Sequence, residues 1–376
     1  MMEEERILLM SEALDLHGRA VLWGLHQLNQ KVDWWDRTLT PIRDEVTVSL
    51  TSCGDSSLTV DDTSLTLREG AYKALWNRRG QEPTVHPELC DSDRTLARHE
   101  AKFLLEGVVA CIEDRNPGAL VVNGLRTKAV ANSKLHQLLT AARAGFTIPA
   151  TLFSNSPDKI RRFVSDAGQG AIVKMHIPYS WRDANGTVHI SGTMAISASD
   201  LQSDMSLKSA PMIYQRKLLP VSELRVIVFG NTAMAISQNR SANSKGFVDL
   251  RWEDDVVAVE YDVPASLKEK CLLFMAAVGI SYAAFDILVD DSGNYTFLEA
   301  NEAGQFLYLE EQVPSLPMLD AFCQYLASGS PTFEFRERTN LSLAAYMATE
   351  DAIDCRELIA RHWRESDKFS PFELAE

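Results

Sequence analysis

Asp286, Glu299 and Asn301 are the residues whose types and spacing could act together in chemistry. They lie in residues 282–310, YAAFDILVDDSGNYTFLEANEAGQFLYLE. Residues 285–290 are apolar and β-prone, Asp291-Ser292-Gly293-Asn294 is a turn cluster, and residues 295–301 resume a strand, which predicts a β-hairpin. A four-residue loop sets Asp286 directly opposite Glu299. Such partners sit ~5 Å apart at Cβ, and facing like charges are destabilising there. Strand alternation places Asn301 on the face of Glu299. Two carboxylates and an amide oxygen meeting at one point call for a cation. A small set of hard oxygen ligands that leaves room for phosphate suits Mg²⁺. The competing reading is a solvated polar face.

Two lysines fit an anion beside that cation. Asn132-Ser133 can cap a helix with Lys134 in its first turn. A cation there opposes the helix dipole unless an anion meets the same helix end. Ala171-Ile172-Val173-Lys174 reads as a buried strand whose terminal lysine either meets an anion or snorkels to solvent. Lysines serve as point charges for phosphates, and arginines grip phosphate and carboxylate oxygens bidentately. With the acids, these residues describe a nucleoside triphosphate site. It has no Walker A loop, for GxxxxGK[ST] is absent. HRD, DFG, GxSxG, GxGxxG and any zinc spacing among the eight histidines are absent too.

The elements that must position these groups follow in order. Ile7-Leu8-Leu9 is a first strand, residues 18–29 a helix and residues 31–36 a second strand. Residues 46–50 and 57–67 alternate like short strands. Ala74-Leu75-Trp76-Asn77 leads to Arg78-Arg79, a pair that either lines a cleft or marks a solvated strand end. Residues 93–112 are an amphipathic helix with a stripe of Leu96, Phe103, Leu104, Val108 and Ile112. Residues 119–123 are a short buried strand. The helix after Ser133 presents Leu135, Leu138, Leu139 and Ala142, and Gly145 ends it. Ser156-Pro157 opens another helix. Residues 179–192 are polar and glycine-containing, suiting a mobile hairpin or lid. Strands follow at 211–215, 223–230, 232–238 and 247–252, with Arg225, Arg240 and Arg251 among their polar positions. Ser266 and Glu269 suggest a capping box for a helix closed by Gly279. After the hairpin, residues 317–327 are the last domain helix. Residues 351–364 are amphipathic and read as a packing or dimerising element. This gives four regions: 1–123, 124–210, 211–330 and 331–376.

Composition bounds the partners. The chain has 376 residues, enough for two or three domains. Apolar residues make up 45% and charged residues 24%, the ordinary balance of a soluble globular protein. A net charge of −15 argues against general nucleic-acid binding, which needs a basic face. The six cysteines form no CxxC and no Cys/His cluster, as in a reduced cytoplasmic protein. The acidic start is unlike a signal peptide, and no apolar run reaches the ~18 residues of a membrane helix.

The assembled pattern resembles the ATP-grasp superfamily over residues 124–329. Within it, VNGLRTKAVANSKLHQLLTAARAGFTIPATLFSN is similar to the start of the core in the graspetide (microviridin-type) peptide ligases. QRKLLPVSELRVIVFG resembles their hinge strand and following ELR strand, FVDLRW their DWR segment, and FDILVDDSGNYTFLEANEAGQFLYLE their metal hairpin. Where those ligases read Asn-Pro-Asn-Gly-Gln-Trp, this chain has Asn301-Glu302-Ala303-Gly304-Gln305-Phe306. The N-terminal likeness centres on Trp76-Asn77-Arg78-Arg79.

The resemblance implies an α/β (α+β) chain: an N-terminal α/β pre-ATP-grasp domain, a central lid domain and a C-terminal antiparallel-sheet domain. It implies that Lys134 and Lys174 hold the phosphates of ATP. Gln215, with Arg216, Lys217 and Leu218, meets the adenine, and Glu223 the ribose. Asp286, Glu299 and Asn301 hold Mg²⁺. Arg225, Arg240 and Arg251 stabilise transferred phosphate or substrate carboxylate. A carboxylate is a poor electrophile, because its leaving group would be oxide. Transfer of the γ-phosphoryl group gives an acyl phosphate, which a hydroxyl or amine attacks once water is kept out. In that branch the acyl donor is an Asp or Glu side chain of a precursor peptide. The nucleophile is a Ser/Thr hydroxyl or a Lys amine, and the ligase is often a homodimer. Two other readings stay open here: a ligase joining free amino acids, and a non-catalytic binding module.

Overall fold

The computed structural model describes residues 5–53, 56–60, 69–78, 82–177, 180–182, 187–190, 192–218, 222–240 and 256–365. Its N-terminal unit follows from strands that are apolar on both faces. β1 (Arg6–Met10) reads Arg-Ile-Leu-Leu-Met with its last four residues buried, the pattern of an interior parallel strand. It pairs in parallel with β2 (Val32–Trp35) and β5 (Tyr72–Asn77), and β5 pairs with β6 (Leu120–Val122), in the order β2-β1-β5-β6. Between them run α1 (Leu16–Gln27), the hairpin β3 (Val46–Leu50) and β4 (Ser56–Val60), and the long α2 (Asp91–Arg115). The expected strand at 57–67 is described as far as Val60. The buried face of α2 differs from the sequence stripe. Leu96 (63% exposed), Phe103 (61%) and Leu104 face outward, while Ala101, Leu105, Val108, Val109 and Ile112 are buried. The helix takes the face that meets the sheet, on which Ala101 and Val109 fit.

The central unit contains α3 (Leu125–Ala131), α4 (Lys134–Arg143), β7 (Thr151–Ser154), α5 (Pro157–Ser165) and β8 (Ala171–Lys174). It continues with the ribbon β9 (Ser180–Arg182) and β10 (Val188–Ile190), then β11 (Met194–Ile196), α6 (Asp204–Ser209) and β12 (Met212–Arg216). Its antiparallel sheet runs β11-β8-β12-β7. β12, at the head of the expected third region, therefore hydrogen-bonds inside the central sheet. Ser133 caps α4 as expected, accepting from His136 N–H, and Gly145 takes φ +86° after its end. The buried side of α4 is again rotated. Leu135 and Leu139 are exposed, and Gln137, Leu138, Thr140 and Ala141 are buried.

The C-terminal unit is a five-stranded antiparallel sheet in the order β15-β14-β13-β16-β17. Its strands are β13 (Ser222–Phe229), β14 (Thr232–Arg240), β15 (Val256–Tyr261), β16 (Tyr282–Val289) and β17 (Tyr295–Asn301). One face packs on α7 (Ala265–Val278) and α4, through Leu267, Phe274, Phe285 and Phe297. The expected capping box at Ser266 does not form. Pro264 occupies the N-cap, so its carbonyl accepts the first helical N–H groups instead. The other face joins α9 (Met318–Ser328) and the N-terminal sheet in one core containing Ile7, Trp76, Phe229, Tyr282 and Phe322. Residues after 330 pack into this core. α8 (Leu307–Gln312) supplies Glu310, whose carboxylate accepts from Leu319 N–H and from Leu343 N–H, opening α10 (Leu343–Met347). α11 (Glu350–Glu365) lies on α1, with Arg19 bonded to Asp351 at 2.5 Å.

Candidate functional site

The acidic hairpin forms with Asp286 paired to Glu299. Its turn is longer than expected: Val289 pairs with Tyr295, and Asp290 gathers the N–H groups of Ser292 and Asn294 on its carboxylate. A bulge then shifts the register, since Ile287 pairs with Phe297 while Asp286 pairs with Glu299. Leu298 is the inserted residue. The bulge lets Phe297 and Ala300, three apart, enter the same core while Glu299 and Asn301 share the opposite side.

β17 is an edge strand, and a helix side chain completes it. Gln137 of α4 accepts from Ala300 N–H (3.1 Å) and donates to Ala300 O (2.8 Å), both at buried positions. The amide thus stands in for a missing strand. It locks α4, and with it Lys134, against the residue between Glu299 and Asn301. Lys134 Nζ reaches Glu299 Oε2 at 2.5 Å. Arg225 Nη1 on β13 reaches Asp286 Oδ1 at 2.7 Å. Each acid therefore has a basic partner from another element. Burial works against the charge of Arg225, but Asp286, with Tyr308 and Tyr282, raises the guanidinium above its ordinary value. Its buried Nε has no hydrogen-bond partner.

Lys174 ends β8 of the central sheet, within electrostatic reach of both acids. Burial lowers its pKa, Glu299 and Asp286 counter this, and Lys134 adds to it. A lysine whose charge is disfavoured by folding costs stability below its folded pKa. That cost fades as pH rises toward the ordinary 10.5, where the unfolded chain also loses the proton. Lys174→Met is thus expected to raise the Tm of nucleotide-free protein by about 1–3 °C at pH 7. The gain should shrink toward pH 10, and stabilisation by added Mg-ATP should be lost. Thermal unfolding across pH, with and without nucleotide, measures all three.

The remaining expected residues are placed as follows. Gln215 is buried on β12 and donates to Thr151 Oγ (2.9 Å). The Arg216 N–H bonds Ala150 O (3.0 Å) and the Lys217 N–H bonds Gly170 O (2.9 Å), so the sheet uses both donors. Leu218 follows, half-buried. Glu223 sits on β13 opposite Leu288 and Gln238. Asn301 Oδ1 accepts from Ala303 N–H (3.0 Å), which orients the amide. Arg240 ends β14, and its side chain lies outside the described residues, as do Arg251 and the whole 247–252 segment. Of the expected lid, β9 and β10 form a ribbon with Trp181 opposite His189, and residues 183–186 lie outside.

Among the described residues no cluster of three or more His, Cys, Asp or Glu could hold a metal. The candidate set is smaller: two carboxylates and an amide. Its chemistry still fits Mg²⁺. Asp286 and Glu299 face each other across strands, and the oxygen-only donor set leaves positions for phosphate. Sequence reasoning passed over Gln137, Asn123, Tyr282 and Glu302. Gln137 lies off the leucine stripe of α4, so the sequence carried no local signal for it.

No protein-family model and no curated protein matches the chain. Solved structures do. The macrocyclase MdnC from Microcystis aeruginosa MRC, bound with precursor peptide MdnA, superposes with TM-score 0.74 at 22% identity, over 86% of this chain and 99% of that one. A RiPP-associated ATP-grasp ligase from Chryseobacterium gregarium, in complex with ADP and a leader and core peptide, gives 0.76 at 20%, over 90% and 100%. The ATP-grasp ligase PsnB, complexed with a phosphomimetic variant of a minimal precursor, Mg and ADP, gives 0.68 at 25%, over 87% and 99%. Over 86–90% of its length, the chain has the ATP-grasp fold in the form that these RiPP-associated ligases share.

Proposed function

We propose that the chain is an ADP-forming ligase that condenses side chains of a ribosomally made precursor peptide. It would join an Asp or Glu carboxylate to a Ser/Thr hydroxyl or a Lys amine, closing a macrocycle. One observation carries the reading: Lys134 and Arg225, from separate elements, pair with Glu299 and Asp286 of the facing acids, and Lys174 of a third element lies in the field of both acids. MdnC and the Chryseobacterium ligase, which share the fold, are seen with precursor or leader and core peptides.

Asp286, Glu299 and Asn301 would hold Mg²⁺, which would supply positive charge to offset that of the phosphates. Lys134 and Lys174 would take the phosphate oxygens. The hinge at Gln215, Arg216, Lys217 and Leu218 would bind adenine, and Glu223 the ribose. Because the Arg216 and Lys217 N–H groups serve the sheet, adenine recognition at the hinge falls to the remaining polar groups. Arg225, Arg240 and Arg251 would face the transferred phosphate or the acceptor carboxylate. The substrate carboxylate attacks the γ-phosphorus and ADP leaves. The hydroxyl or amine then attacks the acyl carbon, phosphate leaves, and the nucleophile's proton passes to the phosphate or to solvent. The β9–β10 ribbon is the candidate lid that keeps water out.

The regions 1–123, 124–210, 211–330 and 331–376 then serve as scaffold, lid, nucleotide-metal sheet and packing tail, with β12 on the lid side. Leader recognition would fall on the central region. The departure at Phe306 is a matter of packing: the ring is buried on His17, Tyr282 and Phe322. Homodimerisation would use the outward Leu96, Phe103 and Leu104 of α2. Sedimentation of Phe103→Glu should show the monomer where the parent chain shows the dimer. No helix among the described residues is long and apolar enough to cross a membrane.

The test incubates the protein with ATP, Mg²⁺ and a short peptide encoded beside it, rich in Thr/Ser or Lys and in Asp/Glu. Loss of one or more waters, read by intact mass, is the expected result, and fragmentation separates ester from amide. Unchanged peptide mass, with phosphate release driven by free amino acids, would transfer the assignment to a small-substrate ligase.

A further inference from the structure

The turn that follows Asn301 is held by an unusual set of bonds. Four consecutive carbonyls each accept from a different side chain. Asn123 Nδ2 donates to Glu302 O (2.7 Å) and Arg78 Nη1 to Ala303 O (2.7 Å). The Tyr282 hydroxyl donates to Gly304 O (2.7 Å) and Arg225 Nη2 to Gln305 O (3.3 Å). Tyr282 and Arg225 belong to the same sheet as the metal hairpin. Arg78 and Asn123 do not. They follow the C-terminal ends of β5 and β6, neighbouring parallel strands of the N-terminal sheet, more than 170 residues away in sequence.

Both N-terminal residues are built for the task. Arg78 is 2% exposed and its Nε bonds Asp15 (3.1 Å), which also accepts from Ser11 Oγ (2.7 Å). That fork leaves Nη1 aimed at Ala303. Asn123 uses its whole amide. Oδ1 accepts from Ser281 N–H (2.8 Å) and Tyr282 N–H (3.2 Å), while Nδ2 donates to Tyr282 O (2.8 Å) and Glu302 O. The Glu302 carboxylate accepts from Asn132 Nδ2 (3.1 Å), two residues before Lys134. A loop at the end of an edge strand would ordinarily be free to shift. Here every carbonyl of the turn is fixed, and Asn301, bonded to Ala303 N–H within it, is fixed with them.

We propose that Arg78 and Asn123 are positioning residues by which the N-terminal domain sets the metal-bearing turn, so that Mg²⁺ affinity at Asp286, Glu299 and Asn301 depends on a domain that supplies no ligand. This rests on the ligase reading above. Outer partners of metal ligands typically tune affinity by about 10–100-fold. A lysine at position 78 can keep the charge beside Asp15 but cannot fork to both Asp15 and Ala303 O.

The experiment titrates full-length protein with ADP by calorimetry, at fixed Mg²⁺ concentrations and in EDTA, and records Tm. Arg78→Lys should raise the Mg²⁺ needed for half-maximal coupling to ADP by about 10-fold. Affinity for metal-free ADP should stay within about twofold, because the lysines that would take its phosphates are untouched. Asn123→Asp, which keeps the two acceptor bonds and loses the two donor bonds, should move the Mg²⁺ dependence the same way. Wild-type Mg²⁺ dependence in both variants would overturn the proposal. So would equal weakening with and without metal, or failure of both variants to fold, since each assigns the residues to general packing. A parent protein whose ADP binding ignores Mg²⁺ would instead overturn the ligase reading, and this proposal with it.

Discussion

Glu299→Gln is expected to lower ATP turnover by about 10³-fold while leaving Tm within about 2 °C of the parent. The two halves of this expectation come from different interactions. As a candidate metal ligand, the carboxylate carries charge that the amide cannot supply to a divalent cation. Stability, by contrast, is set by two small opposing terms. The substitution removes the ionic part of the contact with Lys134, a partly exposed pair worth about 1 kcal/mol or less. It also removes the like charge facing Asp286, a cross-strand repulsion of about 0.2–1 kcal/mol. The glutamine oxygen can still accept from Lys134. A coupled assay of ADP release and a thermal melt on the same preparation measure both. Turnover within tenfold of the parent would show that Glu299 is not a metal ligand. A fall of many degrees in Tm would show that its first role is structural.

The pairing behind that prediction was legible in the sequence for a reason that is partly compensation. A four-residue loop at Asp291 gives Asp286 opposite Glu299. In the folded hairpin the loop also takes in Asp290, and the bulge at Leu298 restores the pairing by the same single residue. Bulges leave little trace in alternation, because Phe297, Leu298 and Ala300 are all apolar. Strands β1, β3, β6, β8 and β12 were legible from composition and alternation, which are local properties. The helix faces were not. Counting leucines on α4 selects Leu135 and Leu139, which stay exposed, and passes over Gln137, which is buried because β17 needs an amide at its edge. No local rule identifies a buried glutamine without its partner 163 residues away. The same holds for Arg225. Its position among polar strand residues suggests an anion, but not that this anion is Asp286 or that Gln305 O shares the guanidinium, contacts fixed by strand pairing and by the turn. The domain-spanning bonds of Arg78 and Asn123 are further still from local pattern. They exist only once the parallel sheet and the antiparallel sheet share a core.

Gly304→Ala is expected to destabilise the protein by about 1–3 kcal/mol and to reduce turnover by about 10²-fold. Backbone conformation is not the cause, for Gly304 is not among the glycines with positive φ. The cause is space. A β-carbon there would lie 2.7 Å from Ala284 Cβ, 2.9 Å from Arg225 Nη2 and 3.3 Å from Asn301 Cβ. Ala284 is fully buried in β16 and cannot retreat, so the strain passes to the other two. One of them is the cation paired with Asp286, and the other is a candidate ligand. Displacing the turn also stretches the bond from the Tyr282 hydroxyl to Gly304 O. The stability loss and the activity loss should therefore separate under selection for repair. Ala284→Gly in the same chain removes the closest contact and should recover much of the melting temperature. It should recover turnover only if the guanidinium of Arg225 returns to Asp286. Recovery of Tm without recovery of turnover would mean that the arginine contact, at 2.9 Å, is what makes glycine necessary here. Equal recovery of both would assign the need to Ala284 packing alone.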